Sequence, residues 1–276
     1  MNDNNIVSID YKGNAAGAIV FWRMYGTTPQ ASLAAALPEG LKGPQTPDAP
    51  TCLRRAVTDL RSDEFDLVRP IARRGDFAFL REARPEEGRV EITQVGRAYL
   101  EGETMYTSGL EAETSMELGR LYSEHYRTLS SEDVSSWLIG LMRTLGGVRL
   151  RESGGIYFIP RTAMATWDAV TQALHETTDH VLHQIPALKT EEAADAIMDA
   201  LTREVRVSVE ELEKELDSLG KRALANRGKA VDGLARKVSQ YEELLGRSLE
   251  GVNAILDRAE ATIGAALLAA EGEEAA

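Results

Sequence analysis

The chain has 276 residues, 43% of them hydrophobic and 27% charged, which is enough for one large or two modest cores. A net charge of −13 argues against a general polyanion-binding role, and the single cysteine, Cys52, excludes an internal disulfide framework and any multi-cysteine zinc site. No stretch approaches the roughly 20 apolar residues that span a bilayer, and the opening Met-Asn-Asp-Asn-Asn lacks the basic start of a signal peptide, so a soluble cytoplasmic protein without membrane contact is expected.

Residues 6–11 open with a β-like run (Ile6, Val7, Ile9, Tyr11), and Asn14 reads as an N-cap before the apolar stretch Ala15 to Trp22, which ends near Gly26. Thr27-Thr28-Pro29 reads as the start of a second helix through Leu33 and Leu37. Four prolines and two glycines make residues 38–50 a loop. Thr51 is the next expected N-cap, followed by Leu53, Ala56, Val57 and Leu60 at helical spacing. The runs Leu67–Ile71 and Phe77–Leu80 flank Arg73-Arg74-Gly75-Asp76, a hairpin signal. Helix, helix, loop, helix, hairpin is the winged-helix order, expected over residues 1–88.

Residues 89–187 carry a strand at Val90 to Val95, then helices from Glu111 to about Arg127 and from Val134 to Leu145. A Gly154-Gly155 hairpin joins Val148–Arg151 to Ile156–Ile159, and a helix from about Thr162 to Leu174 leads to a strand at His180–Ile185. The order βα(α)ββαβ predicts a small ferredoxin-like, split βαβ unit. From 188 to 270 the apolar residues step by three and four, as a coiled coil or long helical hairpin requires. Asn226-Arg227-Gly228 divides that stretch into near-equal arms of roughly 55–60 Å at about 1.5 Å per residue. Residues 271–276 are expected to be disordered. The fold class predicted is α+β.

Charge is uneven: −2 over residues 1–110, −4 over 111–186 and −7 over 187–276. Within 50–84, eight arginines face six acids. On a winged helix, Arg54, Arg55 and Arg61 would lie on the recognition helix and Arg73 and Arg74 on the wing, where guanidinium groups reach phosphates. The alternative is that these arginines pair with Asp59, Asp63, Glu64 and Asp66 on a solvated surface. Of the adjacent Tyr157 and Phe158, only one can leave a strand's buried face, so base stacking competes with simple core packing. His175, His180 and His183 match no standard metal spacing, and Cys52 has no evident base, so neither a metal, a cofactor nor a catalytic constellation is expected. Leu212, Leu216, Leu219, Leu234, Val238, Tyr241, Leu245, Val252 and Leu256 form the stripe that a second copy or a partner helix would bury.

The segments Tyr11-Lys-Gly-Asn-Ala-Ala-Gly-Ala-Ile-Val-Phe-Trp, Leu53-Arg-Arg-Ala-Val, Leu67-Val-Arg-Pro-Ile and Gly154-Gly-Ile-Tyr-Phe-Ile-Pro resemble an uncharacterised family of bacterial and bacteriophage proteins, up to about residue 215. The resemblance implies a setting inside a bacterial cell and transfers no functional residue. The leading expectation is a non-enzymatic accessory protein that binds DNA or RNA through the arginine set and forms a homo-oligomer through its tail. The alternative is a protein-interaction or structural protein, a scaffold or host-protein inhibitor, with no nucleic-acid role.

Overall fold

The computed structural model describes residues 15–71, 74–83, 90–214, 216 and 219–274, with side chains as far as residue 270. The expected run at Ile6–Tyr11, the Asn14 cap, Arg73 and the last two residues of the tail lie outside the described residues. The chain is mixed α+β, and its described residues pack as two compact units: those within 15–23, 139–171 and 181–274 form one, and those within 24–138 and 172–180 the other.

In the first unit, β1 (Ala15–Arg23) lies in the middle of an antiparallel sheet, between β10 (Val181–Leu188) and β9 (Tyr157–Pro160), with the short β8 (Val148–Arg149) beyond β9. The apolar stretch expected to open a winged helix is therefore a strand. Its continuous hydrophobicity arises because it is covered on both faces, and Ile19, Val20, Phe21 and Trp22 are strand-favouring types. Gly17 is needed at this crossing: a Cβ there would sit 1.9 Å from the Ile159 carbonyl oxygen. On one side, Trp22 stacks on Tyr157 at 5.4 Å and meets Trp167 of α5 (Met164–Thr177). On the other, Phe158 packs into a helical layer, edge-on to Tyr241 at 6.0 Å.

That layer is made of α6 (Glu191–Glu213), α7 (Lys221–Leu245) and α8 (Glu250–Glu274), with α7 and α8 paired as a hairpin. The expected hairpin exists, but its turn is elsewhere. Asn226-Arg227-Gly228 lies inside α7, where Gly228 leaves Ile263 4.0 Å from the position of an added Cβ. The turn falls at Gly246, in the left-handed conformation at φ +66°, with its N–H and that of Arg247 both donating to the Glu242 carbonyl. Helix α8 continues through Glu274, past the expected start of the disordered tail. Val205 and Val209, Leu224, Val231 and Val238, and Val252, Leu256, Ala259 and Ile263 supply the seam. Each valine, leucine or isoleucine among them contributes about 1.5–3 kcal/mol on full burial.

In the second unit, β2 (Thr27–Pro29) pairs with β7 (Thr128–Ser130) and precedes the short α1 (Gln30–Ala36), so the expected helix start at Thr27 is a strand. Helix α2 (Ala49–Asp59) is capped by Asp48, whose Oδ1 accepts from the Thr51 N–H at 3.0 Å; Asp48, not Thr51, is the N-cap. The hairpin of β3 (Leu67–Pro70) and β4 (Asp76–Ala83) forms as predicted, turning at Gly75 with φ +84°. It does not end as a wing. It continues into β5 (Glu91–Glu101) and β6 (Thr104–Ser108), giving the order β3-β4-β5-β6. Helices α2 and α3 (Ala112–Arg127) pack against Phe77, Phe79 and Ala98 through Leu53, Ala56, Leu118 and Tyr122.

The elements of 89–187, including α4 (Ser131–Thr144), occur largely where expected, but not as a ferredoxin-like sheet. β5 and β6 join β4, β7 joins β2, and β9 and β10 flank β1. The unrecognised strand β1 takes the central place, and the tight Gly102 turn keeps β6 beside β5.

Replacing Gly17 with alanine should destabilise the first unit by about 1–3 kcal/mol, because β1 and β9 must separate to admit the methyl group. Thermal unfolding followed by tryptophan emission, reporting on Trp22 and Trp167, checks this; an unchanged midpoint would show that the strands yield.

Candidate functional site

Of the predicted arginine set, Arg73 lies outside the described residues, and the other four lie on or beside α2. Arg55 projects from mid-helix and forms two parallel hydrogen bonds with Asp133, at 2.7 and 2.8 Å. Both side chains are 19% exposed, and Asp133 also accepts from the Ser130 N–H and hydroxyl. Burial works to raise the Asp133 pKa, but these donors outweigh it and hold the carboxyl below its usual value. Arg61 closes the other end of α2, donating to the Thr58 and Leu60 carbonyls. Arg74 reaches the N-terminal end, bonding Asp48 at 2.9 Å and the Thr51 hydroxyl. Arg54 is exposed.

Three of the four acids named as alternative partners are occupied differently. Asp59 bonds His125 at 2.8 Å, Glu64 accepts from the Glu111 N–H at the start of α3, and Asp66 accepts from the Glu82 N–H. Three of the four described arginines thus hold together the ends and middle of one helix.

The other candidate groups are also built into the packing. Tyr157 and Phe158 are both buried, so neither offers a stacking face. Cys52 is buried, donates to the His125 carbonyl, and has its pKa raised by burial, the opposite of an activated thiol. His183 stacks on Phe21 at 4.6 Å. His180 is buried; its Nδ1 accepts from the Tyr25 N–H at 3.1 Å, so the proton is assigned to Nε2, which faces the buried Thr28 hydroxyl at 2.9 Å. Burial lowers its pKa, against the pull of the Asp179 carboxylate. Among the described residues no group of three or more His, Cys, Asp or Glu could hold a metal ion, and no helix is long and apolar enough to cross a membrane.

All nine residues of the expected oligomerisation stripe, from Leu212 to Leu256, lie in or against the core of the first unit. Tyr241 and Lys237, one turn apart on α7, also fix the Gly146-Gly147 bend. Tyr241 Oη donates to the Gly146 carbonyl at 2.8 Å, and Lys237 Nζ to the Gly147 carbonyl at 2.8 Å and to Glu204 at 2.6 Å.

The outer strand β10 is different. It is the edge of its sheet among the described residues, Val181, Ile185 and Leu188 are 40%, 51% and 54% exposed, and none of its eight residues is charged. Sequence patterning indicated the strand but not its position, because β1 had been read as a helix. In the second unit, a mainly apolar hollow of about 480 Å³ lies between α1, residues 43–46 and the end of α3, with Leu33, Leu37, Pro44, Tyr126 and Leu129 in its wall.

Arg55→Ala should cost about 1–3 kcal/mol in urea unfolding, since it leaves Asp133 poorly solvated without its partner, whereas Arg74→Ala at the exposed pair should leave the midpoint nearly unchanged. Equal effects would contradict the assigned roles. For His180, the folded pKa lies below the unfolded one, so its contribution is complete above about pH 6.5 and is lost as pH falls from there towards the folded value. Thermal midpoints at pH 7.5 and 5.5 should therefore diverge less in His180→Gln than in the wild type.

No curated protein and no solved structure matches the chain. A family model described as a family of unknown function, DUF6744, matches residues 30–272. As that match spans most of the chain, the protein belongs to this family.

Proposed function

We propose that the protein is a non-catalytic interaction protein that receives an extended segment of a partner polypeptide along the outer edge of β10. The observation carrying this reading is an uncharged eight-residue edge strand with three exposed aliphatic side chains. Edge strands present unpaired N–H and C=O groups and are ordinarily protected by lysines, other charges or covering elements. An added strand satisfies those groups, and its alternate side chains pack beside Val181 and Ile185. Pro186, which has no N–H, limits such pairing to roughly the first five residues.

The nucleic-acid reading centred on α2 loses support because Arg55, Arg61 and Arg74 already have intramolecular partners. The reading as a non-enzyme is supported by the packing roles of Cys52, His180 and His183, each held by a contact that leaves it poorly placed for proton transfer. The setting we attach to this proposal is the interior of a bacterial cell, as the family resemblance implies.

Selection of random peptides displayed against the full chain tests the proposal. The expected binders alternate apolar and polar residues, slow amide exchange within residues 181–185, and lose at least tenfold in affinity against Ile185→Lys. Binders indifferent to Ile185→Lys and Val181→Lys, with unchanged exchange in β10, would reject it.

A further inference from the structure

The tail is acidic as a whole, but α7 is not. From Lys221 to Gln240 it carries six cations and one acid, Asp232, while α6 and α8 are rich in carboxylates. Three of the six are engaged elsewhere: Lys237 as described, Arg227 in capping the Glu211 and Leu212 carbonyls of α6, and Lys221 in an interaction of its own. Arg222, Lys229 and Arg236 remain, and all three are exposed.

These three are spaced seven residues apart. At about 100° per residue, successive members drift by only about 20°, so they form one nearly straight row about 21 Å long. Each precedes a buried core residue by two positions: Arg222 before Leu224, Lys229 before Val231, Arg236 before Val238. The row therefore lies about 200° around the helix from the seam, on the face that points directly into solvent. Among the described residues no carboxylate lies within 4.0 Å of any of the three, and Arg236 donates through Nε to the Asp232 carbonyl at 3.3 Å. Asn226 and Gly233 lie between successive members of the row, and the exposed Asp232, three residues after Lys229 and four before Arg236, borders it on one side. The helix is fixed from behind by its seam and by Tyr241, so the charges are carried on a rigid rod.

We propose that this face of α7 is a docking surface for the phosphate backbone of duplex DNA. A rigid row of cations gains most against a rigid polyanion, because little chain entropy is lost on contact. Each contact releases condensed counterions, an entropic gain available to a small basic row even on an acidic protein. Asp232 and the nearest acids of α6 and α8 oppose the contact, while acids farther than about 10 Å are largely screened at 0.1 M salt. This surface is independent of the β10 edge.

Fluorescence anisotropy of a short labelled DNA duplex with the full chain tests the proposal. Three phosphate contacts predict a log–log salt slope of about −2.7, equivalent to a roughly 40-fold loss of affinity between ~50 and ~200 mM salt. Each of Arg222→Gln, Lys229→Gln and Arg236→Gln should lower the slope magnitude by about 0.9, and the triple substitution should abolish binding while circular dichroism is unchanged. Arg54→Gln, remote in sequence and exposed, should have no effect. No wild-type binding at ~50 mM salt, or single variants that bind like the wild type, overturns the proposal. Tighter binding of single-stranded RNA, or displacement of the duplex by polyglutamate at equal charge concentration, would reassign the row to another partner and overturn it as well.

Discussion

An apolar seam extending over three helices of more than twenty residues each cannot be left to water, and its concealment governs the first unit. α6, α7 and α8 bury it against one another and against Phe158, so the periodic leucines and valines are consumed within the chain. Once the seam is closed, the orientation of α7 is fixed. Tyr241 and Lys237 then fall beside Gly146 and Gly147, where a bend with carbonyls directed outward needs donors. A Cβ at Gly147 would stand 3.0 Å from the Met142 carbonyl oxygen and 3.1 Å from that of Phe158, so the close backbone packing at this bend favours a residue without one. The opposite face of α7 is left for its unpaired cations.

Electrostatics in the second unit are local. The helix α2 has a carboxylate at its N-terminal cap, an arginine over its terminal carbonyls and a second arginine tied to α4 from its middle. A guanidinium satisfied by two carboxylate oxygens has little left to offer a phosphate. Three of the eight arginines between residues 50 and 84, Arg55, Arg61 and Arg74, are thus accounted for by contacts with one short helix and its caps. Charge density in a sequence measures what could be attracted, while the geometry of partners determines what is still available.

Much of this architecture was legible in the sequence, and the failures have identifiable causes. The hairpin at Gly75, the helix α3 and the hairpin ahead of Pro160 followed from turn residues and periodicity, which are local. Ala15–Trp22 was misread because a short, uniformly apolar run has no period with which to distinguish a doubly buried strand from a helix. That one error displaced the sheet topology on either side of it, since β9 and β10 had no visible partner. Gly228, expected as a break, is a tolerated helix glycine, and Gly246, which the apolar periodicity does not single out, ends the helix. The arginine set was correctly typed, but its true partners, Asp133 and Asp48, lie outside the cluster of acids nearest in sequence. The basic stretch of α7 was visible from the start and was lost by averaging over the whole acidic tail.

The place of β1 also constrains the order in which the protein can be built. Ile19 lies opposite Ile185 and Phe158, so the strand has no sheet to enter until residues far downstream have left the ribosome. At about 5–20 residues per second, this interval is of the order of ten seconds or more, during which Ile19, Val20, Phe21 and Trp22 have none of their final neighbours. Residues 24–138, by contrast, contain nearly all of their own core and can collapse in the meantime. Formation of the first sheet is thus a late, long-range closure with a correspondingly slow rate. A nascent chain stalled before residue 157 would present its most aggregation-prone strand while its other unit was already folded.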